Sequence, residues 1–187
     1  MENNFKSSLI LTKEEGSLLT KMIGTESIVE LLYRATKDGF QASSFHSKCD
    51  QKEKTVTIIK NSSNHVFGGF TRSKWTSGTS LSRDPDAFIF SLRRNGVLNN
   101  VKLNVTKPSQ SYAIFSLASS GPIFGYNVGF DFSICNEADK YCKSSANIGQ
   151  SYDVPEGYIL GSDDTKNYLA GEDTDWLVIE IEVYQII

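Results

Sequence analysis

From Thr55 onward the hydrophobic pattern takes a two-residue period, and that change restricts the fold more than any other feature. "TVTIIK" (Thr55–Lys60) and "HVFGGFT" (His65–Thr71) are β-rich runs separated by the turn-forming "NSSN", a pattern that predicts a hairpin. "AFIFSL" (Ala87–Leu92), "VKLNVT" (Val101–Thr106), "SYAIFSLA" (Ser111–Ala118) and "GFDFSI" (Gly129–Ile134) follow, each bounded by turn residues. "DWLVIEIEVYQI" (Asp175–Ile186) comes last. There Val178, Ile179, Ile181 and Val183 partly alternate with Glu180 and Glu182, as in a strand with one wet face. Strands at short intervals, joined by loops rather than crossover helices, pair as antiparallel sheets.

Helical signals lie before this region. Thr12 and Glu15 form a T-x-x-E capping box, which satisfies two unpaired amide donors at a helix start. Leu18, Leu19, Met22 and Ile23 then share one face, and Gly24 stops the helix. So short an amphipathic helix needs a surface to pack on and is expected to dock on the main body. Ser27 to Tyr33 suits a helix or a strand equally, and Asp38-Gly39 marks a turn. From Phe40 the pattern is helical again, with Ala42, Phe45, His46 and Cys49 at i, i+3, i+4 and i+7. The expected fold class is therefore mainly β (α+β), a two-sheet antiparallel β-sandwich with flanking helices.

At 187 residues the chain has the size of one domain with a substantial core. No run approaches the roughly 18 apolar residues of a membrane helix. The polar start "MENNFKSSLILTKEEG" does not resemble a signal peptide. An odd count of three cysteines is no disulfide framework and fits a reducing, intracellular setting. Residues 151–187 carry nine carboxylates against Lys166 alone, net −8, leaving +5 for the remainder. That distribution argues against nucleic acid as the main ligand and reads as a solvated acidic face.

Several constellations suggest chemistry. His46 and Cys49 touch at i, i+3 on a helix, and Asp50 adjoins them, which admits thiol-dependent peroxide chemistry at Cys49 assisted by His46. A nucleophile ordinarily takes its base from another element, so the plainer reading buries Cys49 and Phe45 and leaves His46 at their border. Cys135 and Cys142 lack CxxC spacing and a nearby histidine, so no zinc site is expected. "FGGF" and "GPIFGYNVG" match no phosphate-binding fingerprint and suit corners or close strand approach. The acidic groups Asp84–Asp86, Ser162–Asp164 and Glu172–Asp175 lack EF-hand spacing, yet sandwich loops can pool calcium ligands. A calcium-dependent binding module stays open on that ground. No G-x-S-x-G elbow occurs. "FTRSKWTS" sets Arg72, Lys74 and Trp75 in a loop, where an exposed tryptophan among cations suits a protein interface. A structural Trp75 closing the sandwich is equally consistent.

The phrases "LLYRATKDGF", "FHSKCD", "TVTIIK", "FGGFT…W", "DAFIFSL", "GPIFG", "NIGQSY", "LAG" and "EIEVY" occur in that order. Together they resemble the TLDc domain, the module that ends the oxidation resistance proteins. On this resemblance residues 27–187 are the domain, and residues 1–26 are an extension carrying the short helix. The resemblance implies a two-sheet sandwich with flanking helices, no established catalytic centre and no cofactor. It also implies a cytoplasmic protein-interaction module in the oxidative stress response or on the vacuolar-type proton ATPase. The expected partner is that pump's soluble sector, through which the chain would sit on endolysosomal or vacuolar membranes.

Overall fold

A computed structural model of the chain describes residues 3–24 and 29–187. Helix α1 (Lys13–Ile23) is followed by β1 (Val29–Arg34), the single turn α2 (Ala35–Asp38) and α3 (Ala42–Cys49). Next come β2 (Thr55–Asn61), β3 (Val66–Thr71), β4 (Ser80–Ser82), β5 (Phe88–Arg94) and β6 (Val97–Asn104). A 3-10 turn (Lys107–Tyr112) leads to β7 (Ile114–Ser116), β8 (Ser120–Phe124), β9 (Phe132–Cys135) and β10 (Ser145–Ala146). The short α4 (Asp163–Lys166) precedes β11 (Val178–Ile186). Among the described residues one sheet runs β1-β11-β2-β3-β5-β6 and the other β10-β9-β8-β7-β4. All these pairings are antiparallel. The expected sandwich and its flanking helices are present.

The larger sheet is covered on both faces, which explains the nearly unbroken apolar runs of its central strands. Ile59, Phe67, Ile89, Leu103 and Val183 face Ile114, Phe124, Phe132 and Ile134 of the smaller sheet. The opposite side of the same strands, with Val56, Ile58, Phe70, Phe88, Phe90 and Tyr184, is covered by Phe5, Ile10 and Leu19. Burying Leu19 alone is worth about 1.5–3 kcal/mol on transfer scales. The helix is fixed by its own cap: Glu15 accepts from Thr12 N at 2.8 Å, and the same carboxylate takes Arg93 of β5 at 2.6 and 2.7 Å. Gly24 closes the helix in the left-handed region, at φ 77°. The boundary expected between residues 26 and 27 lies outside the described residues, as do Ser27 and Ile28; Val29–Tyr33 form part of β1.

"FGGF" is a close approach of strands and sheets. A Cβ on Gly68 would stand 1.9 Å from the Thr57 carbonyl oxygen, and one on Gly69 would stand 2.5–2.7 Å from the Phe124 ring. "GPIFG" forms β8 rather than a corner alone. The strand tolerates Pro122, which has no amide donor, because the pairing register shifts between Ser120 and Ile123. In "SYAIFSLA" only Ile114–Ser116 pair as a strand, since the 3-10 turn started by Pro108 takes in Ser111 and Tyr112.

The wet face expected for β11 is corrected. Glu180 and Glu182 are buried while Ile179 is exposed. Each carboxylate has partners that sequence periodicity does not register. Glu182 Oε1 accepts from Arg34 Nε and Nη2 at 3.0 and 2.7 Å and from Leu9 N at 2.9 Å; its Oε2 accepts from Ser8 Oγ at 2.6 Å. Glu180 accepts from the Thr36 amide at 3.1 Å and from the Thr36 hydroxyl. The acidic end is thus a solvated face only outside its strand, at Asp153, Glu156, Asp163, Asp164, Glu172 and Asp175.

Candidate functional site

Helix α3 lies against β1 and β8 and carries the histidine-cysteine pair. Cys49 is 0% exposed, in a cluster with Tyr33, Phe45 and Trp75. Burial pushes its thiol well up, and the neighbouring Asp50 and Asp38 push in the same direction. A peroxide-reactive cysteine needs the opposite, an accessible thiol free to ionise to the thiolate.

His46 Nδ1 stands 2.8 Å from Asp50 Oδ1, and Nε2 stands 3.1 Å from each of the carbonyl oxygens of Leu117 and Ser120. The second Asp50 oxygen accepts from the Ser77 hydroxyl. Serine, aspartate and histidine therefore meet, but in an order unlike a nucleophilic triad. There the imidazole must reach the hydroxyl, and here the carboxylate stands between them. With its ring nitrogens on the carboxylate and the two carbonyls, His46 bolts α3 to the β7–β8 connection.

The loop after β3 splits its three candidates. Arg72 and Lys74 are exposed; Arg72 Nε lies 3.3 Å from Asp86 Oδ2. Trp75 is not on the surface. It is 0% exposed, donates from Nε1 to Thr55 Oγ1 at 3.0 Å, and sits edge-on to Phe45 and Phe124 at 5.4 and 5.7 Å. Its ring fills the end of the sandwich, which corrects the reading of an exposed interface tryptophan. The cations stay at the surface because their long flexible stems carry the charged heads out to water, whereas the indole is buried.

The acidic loops lie apart from one another in use. Asp84 is buried and fully engaged, accepting from Thr71 Oγ1 at 2.8 Å, Arg72 N at 2.5 Å and Asp86 N at 3.0 Å. Asp163 and Asp164 head α4, whose cap is Ser162, and Thr174 Oγ1 donates to Asp175 at 3.1 Å. Among the described residues no group of three or more His, Cys, Asp and Glu side chains is arranged to hold a metal ion.

Two polar centres escaped the sequence reading. Asp131 is buried and accepts from the amides of Gly149, Gln150 and Ser151 at 2.7, 3.1 and 2.7 Å. Burial raises its carboxyl to about 7, while the amide donors pull the other way. Gly125, at φ 76°, leaves the room it needs, since a Cβ there would stand 2.1 Å from Asp131 Oδ2. His65 is also buried. Its Nδ1 lies 3.0 Å from Leu169 O and its Nε2 2.8 Å from the Asn95 side-chain amide. Burial lowers its pKa, and Arg94 adds to the effect. The available signals were an aspartate two residues after Gly129, and a histidine just before a strand that has no wet face.

These contacts join the nine ordered phrases to one another. Arg34 and Thr36 of "LLYRATKDGF" hold Glu182 and Glu180 of "EIEVY". Phe45 of "FHSKCD" packs on the tryptophan of "FGGFT…W", which bonds Thr55 of "TVTIIK". Gly125 of "GPIFG" makes space for Asp131, which holds "NIGQSY". His65 and Asn61 tie down "LAG", the latter by Asn61 Nδ2 to Ala170 O at 2.7 Å. The phrases are the fasteners of the sandwich. A search of the curated proteins gave no match to the chain. A family model, the TLDc domain, matches residues 4–187, a span that takes in the capped helix and both sheets. The chain belongs to the TLDc domain family.

Proposed function

We propose that this chain is a non-enzymatic TLDc interaction module that binds the soluble sector of the vacuolar-type proton ATPase and acts in the oxidative stress response. The observation that carries the reading is the family match over residues 4–187. It is supported by the use of the chemistry-bearing side chains: His46, Asp50, His65, Asp84 and Asp131 are bonded into the frame. Among the described residues no helix is long and apolar enough to cross a membrane, so a membrane location would come through the partner. In this reading the chain is cytoplasmic, and Arg72 and Lys74 contribute exposed cations to the partner surface.

The test is capture of the pump's soluble sector by the purified chain, followed by an assay of pump activity. Binding with a changed activity supports the reading, and R72E/K74E should weaken capture several-fold without lowering the melting temperature. No capture and no change in activity would remove this partner.

A further inference from the structure

Cys135 and Cys142 are seven positions apart, and the fold folds the second back toward the first. Cys135 is the last residue of β9, partly exposed on the outer side of the smaller sheet, and Cys142 is exposed. After Cys135 the chain turns on Glu137, whose carbonyl accepts from the amides of Lys140 and Tyr141 at 2.9 and 3.1 Å. It then returns as β10, antiparallel to β9, with Ser145 opposite Ser133.

The returning segment lies on the Cys135 side chain. Cys135 Sγ donates to the Tyr141 carbonyl oxygen at 3.3 Å, and the Ser144 hydroxyl stands 3.5 Å from the same sulfur. Cys142 follows Tyr141 directly, so its Cα lies within about 3 Å of that carbonyl oxygen by peptide geometry. The Cys135 thiol thus touches the peptide unit that begins Cys142. Residues 141–144 have no regular secondary structure, so a change of Cys142 rotamer and a small loop shift break no ladder bond. Cys135 also lines a surface hollow of about 340 Å³ with Ser120, Asn136, Tyr141 and Lys143, which leaves room beside its sulfur for the Cys142 side chain to turn in.

We propose that Cys135 and Cys142 are a reversible dithiol that a peroxide oxidises to an intramolecular disulfide. The exposed Cys142 thiolate attacks one peroxide oxygen. The O–O bond breaks, the other oxygen leaves as water (or an alcohol, from an organic peroxide), and Cys142 becomes a sulfenic acid. The Cys135 thiolate then attacks the Cys142 sulfur, the S–O bond breaks, and a second water leaves. With hydrogen peroxide, two thiols and one peroxide give one disulfide and two waters. Cys49, buried in the core, takes no part.

The experiment treats the reduced full chain with stoichiometric hydrogen peroxide and reads free thiols, intact mass and a peptide map. The expected result is a fall from three thiols to one per chain, and a monomer lighter by two hydrogens. The map should show Cys135 linked to Cys142, and dithiothreitol should restore all three thiols. Cys135→Ser should instead stop at a Cys142 sulfenic acid that dimedone traps. Three persisting thiols in the wild-type chain, or loss only through links between two chains, would overturn the proposal. So would oxidation of Cys142 beyond the sulfenic state with Cys135 still free. The wild-type readouts decide the matter even if the variant fails to fold.

Discussion

Arg34 and Glu182 are 148 residues apart in sequence and 2.7 Å apart in space. Glu182 is 0% exposed and Arg34 is only a little more so. Removing one partner of such a pair strands a buried charge, which costs about 3–5 kcal/mol. Arg34→Met should therefore lower the unfolding free energy by about that amount in urea titration, with Glu182 still buried. His65 gives the pH counterpart. Its folded pKa is depressed by burial, so the unfolded chain binds the extra proton first as pH falls through about 6.5. Stability is full above that value and declines below it. The gap in melting temperature between the wild-type chain and His65→Gln should narrow between pH 7 and 5. That difference separates His65 from the opposite contribution of Asp131, whose raised carboxyl takes up a proton in the folded state over the same range. Cys49 should resist thiol reagents in the folded state at every pH up to 9 and react once the chain is unfolded; labelling at the rate of an exposed thiol would contradict its burial.

At the level of elements, strand β3 shows how little space separates the sheets. Gly69→Ala would drive a methyl group into the Phe124 ring, and overpacking of this kind costs about 1–3 kcal/mol. Denaturant midpoints of the variant would check this. The same strand shows what was legible beforehand. "TVTIIK", "HVFGGFT" and "AFIFSL" announce strands because β-branched and aromatic residues bounded by turn formers suit nothing else. The capping box at Thr12 and Glu15 announces α1 because the motif is local. Elements whose pairing is decided by distant residues were not legible. β4 and β10 are two or three residues long, and β8 contains Pro122. Glu180 and Glu182 imitate a solvated strand edge because alternation carries no information about Arg34 or Thr36. Asp131 gave no motif, since its partners are backbone amides of a later loop.

At the scale of the molecule, the N-terminal segment is the third layer over the larger sheet. Phe5, Ile10 and Leu19 cover Val56, Ile58, Phe70, Phe88 and Phe90. A chain lacking residues 1–24 should expose that face, bind a hydrophobic dye such as ANS and aggregate at concentrations where the full chain is monodisperse. A truncated chain that stays soluble and dye-free would show that the layer is dispensable. The order of strands has a further consequence. β11 is inserted between β1 and β2, and β1 pairs with no other strand among the described residues. While the polypeptide is being made on the ribosome, β1 waits without a neighbour until β11 emerges, some 140 residues later. Synthesis and completion of the larger sheet are thereby coupled: a nascent chain stalled just before β11 holds β1 as a lone strand and β2-β3-β5-β6 as a sheet whose β2 edge stays open for a chaperone to guard.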